Sequence, residues 1–299
     1  MASELPRITL VTPSLNQGEF LEETLDSVLS QGYPNLEYMV IDGGSTDASV
    51  EIIKRHSHYL SYWISEPDRG QSDALIKGFA RASGEIMNWI NADDLLRPGA
   101  LALVASTWDK MHADLIIGED QQFNVSVDQP VGRFRPAGYA HPECLRFWNG
   151  RFHYHQPPTF FSRRAYLAAG GLRADLHYVM DYDLYCRMLA LPDVQVSYLE
   201  QVLSAFRLHP AAKTARAKSR FLTELRSVSR PRWPVEWNAA GEQLAMDRHS
   251  AECSLFQAAQ SLRSRDLRAS GSALLAALRF APLHAAGFAL KRGWERRLG

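Results

Sequence analysis

The hydrophobic positions of the first 120 residues alternate between two periods. Short runs such as RITLVTPS and LEYMVID are almost continuously apolar and rich in β-branched residues, which predicts buried strands. The segment GEFLEETLDSVLSQ between them repeats its apolar residues every three or four positions, which predicts a helix with one buried face. Three more strands are predicted in LSYWISEP, EIMNWIN and DLIIGED, and three more helices in STDASVEIIKRH (N-cap Asp47 or Ser45), QSDALIKGFARASG and residues 98–111.

This alternation of strand and helix is typical of an α/β fold: a doubly wound, mostly parallel sheet with helices on both faces. After residue 120 the pattern is less regular. The motif HQPPTFFSRRAYLAAGGL predicts an extended segment and a short helix closed by glycines, MDYDLYCRMLA predicts a helix, and VQVSYLEQVLSAFRLH is extended. We therefore divide the chain into residues 1–120, residues 121–214 as the other half of the same domain, and a helical C-terminal extension at 215–299.

Polar and acidic residues gather where the predicted strands end. Residues 12–14 follow the first strand, Asp42 the second, residues 66–68 the third, and Asp93 with Asp94 the fourth. In parallel sheets, ligands bind outside the carboxyl ends of the strands. A carboxylate without a partner is very costly to desolvate, so we expect a cation or a polyhydroxylated ligand beside these acids.

Each of these acidic and histidine candidates has two interpretations. Asp93 at a strand end could bind Mg²⁺ or Mn²⁺, whereas Asp94 could equally cap the next helix. Asp42 could accept hydrogen bonds from a nucleobase or could simply form a turn. Asp181 could be a general base or an acid favoured by the helix dipole. His209 could be a further metal ligand or an ordinary surface or core residue.

Composition and loops exclude several classes of protein. The loop TPSLNQGEF after the first strand lacks the G-x-G-x-x-G of dinucleotide sites, and no G-x-x-x-x-G-K-[ST] phosphate loop occurs. The chain has 33 basic and 33 acidic residues, so no overall charge favours nucleic acid. Three widely spaced cysteines suggest reduced thiols, and neither a signal peptide nor a spanning segment is recognisable. We therefore expect a cytoplasmic protein.

The end of the chain differs in charge from the rest. From residue 262 onward there are eight basic and two acidic residues, interleaved with Leu, Phe and Trp. A solvated helix face is the ordinary interpretation of such a tail. Peripheral contact with the acidic inner face of the cell membrane is the alternative.

Four segments together resemble the family 2 glycosyltransferases, which have the GT-A fold. They are TPSLNQGEFLEETLDSVLSQGYPNLEYMVIDGGSTD, EPDRGQSDALIKGFARASGEI, NADDLLRPGAL and MDYDLYCRML, and their order and spacing follow the family pattern over residues 6–210. The resemblance implies an inverting, metal-dependent enzyme that uses Mn²⁺ or Mg²⁺. Such an enzyme moves one sugar from a UDP- or dTDP-sugar to a glycan or lipid-linked acceptor in polysaccharide or glycoconjugate synthesis.

The resemblance also implies roles for individual residues. Residues 1–120 would bind the nucleotide-sugar, and residues 121–214 would bind the acceptor and carry the catalytic base, Asp181. Asp93 and His209 would hold the metal and the diphosphate. The nucleotide-binding candidates are Pro13, Ser14, Asp42, Asp68, Arg69 and Asp73, and the further candidates are Asn91, Asp94, Asp183 and Gln156.

Three positions depart from the family pattern and keep alternatives open. Asn91 replaces the first acid of the D-x-D motif, Met180 replaces an acid beside the base, and Ile76 replaces a helix asparagine. A catalytically degenerate nucleotide- or sugar-binding module is therefore one alternative. A sugar-nucleotide nucleotidyltransferase is another, although its glycine-rich basic loop is missing. The Q-x-x-R-W motif of processive members is also absent, which favours a single addition.

Overall fold

The structure is a computed structural model that describes residues 5–147, 152–213 and 218–235, with isolated positions at 237, 243, 272 and 275. The chain divides into two compact units: Met1–Leu145 with Arg151–Trp233, and Arg146–Gly150 with Pro234–Gly299. The predicted division at residues 120 and 214 stays a prediction. The basic tail lies outside the described residues apart from Ser272 and Leu275. No helix among the described residues is long and apolar enough to cross a membrane.

A nine-stranded sheet forms the centre of the first unit. The strand order is β3-β2-β1-β4-β8-β6-β9-β5, and β7 pairs with β6. Strands β3, β2, β1 and β4 are parallel, and β6 is parallel to β9, whereas β8, β5 and β7 run antiparallel to their neighbours. The strands are β1 (Ile8–Ser14), β2 (Leu36–Asp42), β3 (Tyr62–Ser65), β4 (Ile86–Trp89), β5 (Leu95–Leu96), β6 (Leu115–Phe123), β7 (Gly132–Phe134), β8 (Thr159–Ser162) and β9 (Val196–Arg207).

Seven α-helices accompany the sheet in the part of the chain that the structure describes. Helices α1, α2 and α4 bury their apolar stripes on one face, where Leu25, Ile53 and Val104 join a core with the strands. The helices are α1 (Leu21–Leu29), α2 (Ser49–His56), α3 (Gln71–Phe79), α4 (Ala100–Met111), α5 (Arg163–Ala168), α6 (Met180–Leu189) and α7 (Lys218–Ser229), with 3₁₀ turns at Ser57–Tyr59, Glu143–Leu145 and Arg230–Arg232.

Helix α3 covers the opposite face of the sheet and approaches it closely. A Cβ atom at Gly78 would lie 2.7 Å from Val11 Cγ1 of β1, so only glycine allows this packing distance. Phe79 continues the contact through an edge-on pair with Trp89, at 6.1 Å between ring centroids. The predicted doubly wound sheet with helices on both faces is therefore confirmed.

The prediction of the N-cap of α2 was wrong. The N-cap of α2 is Ala48, not Asp47 or Ser45. Asp47 instead accepts hydrogen bonds from the backbone N–H groups of Ser49 and Gly18, and Ser45 Oγ accepts one from Asn16 N–H. These side chains join the loop after β1 to the loop after β2, a role that local helix signals do not reveal.

Candidate active site

A cavity of about 470 Å³ opens at the carboxyl ends of β1 and β4, where acids were expected to gather. Its floor comes from the strand ends, and its walls come from the segment 154–157, the start of α6 and the start of α7. Seven of the predicted site residues line it: Pro13, Ser14, Asp68, Asn91, Asp93, Gln156 and Asp181.

Asp93 and His209 lie side by side although 116 residues separate them in the chain. His209 Nε2 is 3.0 Å from Asp93 Oδ2, and both side chains are mostly buried. The imidazole ring also packs against Phe20, with 4.7 Å between ring centroids. The geometry thus brings together the two residues that were predicted as metal ligands.

Arg207 supplies the positive charge beside Asp93 and Asp94, and the sequence analysis did not identify it. Its backbone N–H donates to Asp94 Oδ1 at 3.2 Å, and its Nε donates to the Asp93 carbonyl oxygen at 3.1 Å. The guanidinium also pairs with Glu23 and lies over the rings of Phe20 and Phe123. The only sequence feature that could have identified Arg207 is its position at the end of an extended segment with apolar neighbours.

Asp94 is fully buried and does not cap the helix that follows it. Helix α4 begins after Gly99, and no side chain caps it. Asp94 Oδ2 instead accepts a hydrogen bond from Asn91 Nδ2 at 3.0 Å. Burial raises the pKa of Asp94 well above its usual range, and the neighbouring Asp93 and Asp120 raise it further. Asp94 therefore supports the floor of the cavity and does not line it.

Asn91 belongs to an amide network on the cavity wall. Its Oδ1 accepts from Gln71 Nε2 at 2.7 Å, and its Nδ2 lies 3.5 Å from Gln156 Oε1. Gln156 Nε2 donates in turn to the Trp89 carbonyl oxygen at 2.7 Å. Lys213 extends the network with a 3.2 Å hydrogen bond to Gln71 Oε1. Each amide orientation is fixed by its neighbours, which gives the cavity a rigid polar side.

Asp181, in the first turn of α6, presents a carboxylate to the cavity. Its Oδ1 accepts a hydrogen bond from the backbone N–H of Tyr182 at 2.8 Å. Burial raises the pKa of Asp181 to about 6, although that hydrogen bond and the positive charges of Lys213 and His155 oppose the shift. A carboxylate with a pKa just below neutrality is well suited to accept a proton at pH 7.

With Asp181 as the base that the family resemblance implies, we predict that kcat/KM for sugar transfer falls about tenfold per pH unit below a pH near 6, because a base must be deprotonated to act. The measurement is kcat/KM from pH 4.5 to 8.5 with saturating cation. His155 also lines the cavity, and its positive charge lowers the pKa of Asp181, so H155A should keep the acidic limb but move its midpoint to a slightly higher pH. A flat profile down to pH 4.5 would contradict the role of Asp181.

Asp183 points away from the cavity and is fully buried. Arg187 contacts its Oδ2 through Nε at 2.9 Å and through Nη2 at 2.6 Å. Arg232 donates to its Oδ1 at 2.9 Å, and Arg173 lies 3.7 Å from the same oxygen. Asp183 therefore has three guanidinium partners and no place on the cavity lining.

Asp42 is also fully buried and does not line the cavity. Its carboxylate accepts from the backbone N–H groups of Gly44 at 3.1 Å and Ser45 at 2.8 Å. It further accepts from the hydroxyl groups of Ser45 at 2.5 Å and Ser65 at 2.7 Å. These contacts are those of a turn-forming aspartate. A nucleobase could contact this carboxylate only if one of these hydrogen bonds were exchanged.

The remaining nucleotide-binding candidates occupy the loop before α3 and the first turn of that helix. Asp68 lines the cavity, and its Oδ1 accepts from the backbone N–H of Gly70 at 2.7 Å. Arg69 and Asp73 do not line the cavity; they form an ion pair with each other at 2.9 Å. Arg69 is the largest cause of the lowered pKa of Asp73. This pair shapes the loop that presents Asp68.

A buried acid also orients His155, another residue that the sequence analysis missed. His155 Nδ1 is 2.8 Å from Oδ2 of the fully buried Asp120, and Ser204 Oγ donates to the other carboxylate oxygen at 2.6 Å. The imidazole stacks on Phe134 with 3.8 Å between ring centroids. Since Nδ1 faces Asp120, Nε2 is the ring nitrogen left for a ligand in the cavity.

The residues present fit a divalent cation only in part. Among the described residues, no group of three or more histidine, cysteine, aspartate or glutamate side chains could hold a metal ion. Neighbouring ligands of an octahedral ion with bonds near 2.1 Å are about 3 Å apart. Asp93 Oδ2 and His209 Nε2, at 3.0 Å, have that spacing. They would supply two ligands, and a bound diphosphate would have to supply the others.

Comparison with known proteins assigns the family. The model of the family described as "Glycosyl transferase family 2" matches residues 9–170, which is more than half of the chain. The chain belongs to the family 2 glycosyltransferases, and its fold is GT-A-like, with the helical addition α7. The predicted family and fold are therefore confirmed.

The relatives and solved structures named below share between 14% and 32% sequence identity with this chain. GlyA of Streptococcus pneumoniae is 32% identical over 40% of this chain and 18% of its own length. An uncharacterized glycosyltransferase of Mycobacterium tuberculosis is 29% identical over 61% of this chain and 68% of its own. Residues 1–349 of S. aureus TarS, solved with UDP-GlcNAc, align over 90% of both chains at 14% identity and a TM-score of 0.61. The mannosyltransferase PcManGT of Pyrobaculum calidifontis, solved with GDP-Man and Mn²⁺, covers 97% of this chain and 76% of its own at 20% identity and a TM-score of 0.51.

Proposed function

We propose that the protein is an inverting transferase that moves one sugar from a nucleotide-diphosphate sugar to a hydroxyl group of a glycan or lipid-linked acceptor. The observation that carries this proposal is a single cavity lined by both Asp93 and Asp181. Asp93 has His209 beside it as a second candidate ligand for a cation on the diphosphate. Asp181 has a raised pKa suited to proton acceptance.

The cavity wall near β1 favours the binding of a polar nucleotide-sugar. Ser14 Oγ and Gln17 Oε1 are buried atoms without a hydrogen-bond partner among the described residues, and both residues line the cavity. Buried polar atoms are normally paired, so these two are candidates to bind hydroxyl or imide groups of a nucleoside. Similar folds were solved with UDP-GlcNAc, UDP and GDP-Man, which supports a nucleotide-sugar as donor. We propose a UDP- or dTDP-sugar.

Asp93 and His209 would hold Mn²⁺ or Mg²⁺ together with the diphosphate of the donor. Such an ion supplies Lewis-acid stabilisation of the negative charge on the leaving group. Arg207 holds the backbone of Asp93 in place through the 3.1 Å hydrogen bond to its carbonyl oxygen. The chain's own contribution is therefore a fixed carboxylate and a fixed imidazole.

Asp181 would remove the proton of the acceptor hydroxyl as that oxygen attacks the anomeric carbon. The new bond joins the acceptor oxygen to the sugar, and the bond from the anomeric carbon to the diphosphate oxygen breaks. The proton ends on Asp181 and the electron pair on the nucleoside diphosphate. A single displacement of this kind inverts the anomeric configuration. The burial that raises the pKa of Asp181 also strengthens its basicity at neutral pH.

The first test is calorimetric titration of UDP, dTDP and GDP into the protein, with Mn²⁺ and with chelator. We expect UDP or dTDP to bind at least about tenfold more weakly with chelator, because the diphosphate then loses the cation that joins it to Asp93 and His209. H209A should show the same loss without further response to chelator. A preference for GDP would overturn the proposed donor class.

The same measurements separate catalysis from mere binding. Turnover of a UDP- or dTDP-sugar, either by transfer or by slow hydrolysis without acceptor, would exclude the catalytically degenerate module. Binding of nucleotide without turnover of any sugar donor would favour it. The proposed contact of the basic tail with the inner face of the membrane rests on sequence alone. Flotation with anionic vesicles at low salt tests that contact separately.

A further inference from the structure

Helix α7 and the loop that leads into Asp181 both lie outside the segment matched by the family model, and they contact each other. The Glu224 carboxylate accepts hydrogen bonds from three consecutive backbone N–H groups. The distances are 3.1 Å from His177, 2.7 Å from Tyr178 and 3.2 Å from Val179. One side chain of α7 thus binds the whole backbone turn in front of α6.

The N-cap of α6 needs such an acceptor because its own side chain provides none. The N-cap position is Val179, whose side chain cannot accept a hydrogen bond. The first N–H groups of a helix have no partner within the helix and require one from outside. A carboxylate at this end is also favoured by the helix dipole. Glu224 accepts from the N–H of Val179 at this end of α6, whereas the N–H of Tyr182, inside the first turn, donates to Asp181.

The same face of α7 holds Tyr178 at two further points. Arg220 Nη1 donates to the Tyr178 hydroxyl at 3.1 Å, and the ring of Phe221 lies 5.2 Å from the tyrosine ring. Tyr178 and Phe221 both line the cavity. Residues 220, 221 and 224 lie within about one helical turn, so a single rigid surface fixes the loop.

We infer that Glu224 is a positioning residue for sugar transfer: it fixes the backbone of residues 177–179 and thereby the place of the Asp181 carboxylate. The inference rests on the proposed role of Asp181 as the base. An error of about 1 Å in the place of a reacting group can cost on the order of 100-fold in rate. Without these three hydrogen bonds the turn before Asp181 is no longer held in place, and we expect a displacement of that size.

The test compares E224A, E224Q and the control R232M. E224A should lower kcat about 10- to 100-fold while the KM for donor and the affinity for UDP stay within about twofold. E224Q keeps one carbonyl acceptor for the turn and should recover part of the lost kcat. R232M removes the 2.9 Å contact with Asp183 without touching this turn, so it should lower the melting temperature but leave kcat within about twofold.

Three results would overturn the inference. They are a wild-type kcat in folded E224A, an equal loss of kcat in E224A and R232M at matched stability, and no recovery in E224Q. The proposed function fails by a different result, which is full turnover in D181N. If D181N is inactive while E224A and E224Q transfer sugar like the wild type, only the positioning role is lost.

Discussion

Replacement of Asp181 by asparagine is expected to lower kcat for sugar transfer by about 10²- to 10⁴-fold. The amide is nearly the same size as the carboxylate and still accepts the hydrogen bond from the Tyr182 N–H, but it cannot take a proton at neutral pH. Nucleotide affinity should stay within about twofold, because the proposed contacts with the nucleotide come from other residues of the cavity. Turnover with and without acceptor, and calorimetry with UDP, measure the two properties independently.

The stability of D181N provides the control for this experiment. Burial raises the pKa of Asp181 from 3.8 to about 6, so between these pH values the folded state binds more protons than the unfolded state. Stability of the wild type therefore falls as the pH rises through this window. Above pH 6 the wild type carries the full cost of a buried charge that asparagine lacks.

D181N should accordingly be more stable than the wild type by on the order of 1–3 kcal/mol at pH 7.5, with the difference vanishing below about pH 4. Thermal melts at the two pH values test this. An inactive D181N that melts at a higher temperature shows that the loss of kcat is chemical and not a consequence of misfolding. A variant that turns over like the wild type contradicts the proposed mechanism.

The fold could be predicted from local patterns because the relevant signals are local. Continuous apolar runs and three- to four-residue periods lie within single segments, and they located β1 to β4 and α1 to α6. The short strands β5 and β7 were missed, since Leu95–Leu96 and Gly132–Phe134 are too short to show a period. Their pairing with β9 and β6 is decided by tertiary contacts alone.

The site could be predicted only where chemistry coincided with a strand or helix end. Asp93 and Asp181 were predicted on that basis and line the cavity, and His209 was a candidate metal ligand both by residue type and through the family resemblance. Arg207, His155 and Glu224 were missed, because their roles depend on partners that lie between 35 and 184 residues away. A periodic sequence pattern carries no information about contacts between residues so far apart in the chain. The contrast between Asp181 and Asp183 shows the same limit, since the two acids share one helical turn but face different surroundings.

Replacement of Asp183 by alanine is expected to cause a large loss of stability. Asp183 is fully buried, and the partly exposed Arg173, Arg187 and Arg232 surround it. Removal of one partner from a buried ion network leaves the others uncompensated, at a typical cost of 3–5 kcal/mol. Solvent around the arginines reduces this cost, so we expect about 3 kcal/mol and a melting temperature lower by about 8 °C.

The kinetic behaviour of D183A should be the opposite of that of D181N. Asp183 does not line the cavity, so kcat measured well below the melting temperature should remain within a few-fold of the wild type. D183N keeps one acceptor oxygen for Arg187 or Arg232 and should lose less stability than D183A. Denaturant unfolding and initial rates of transfer at low temperature measure both properties. A D183A protein of wild-type stability without activity would instead identify Asp183 as the base and remove that role from Asp181.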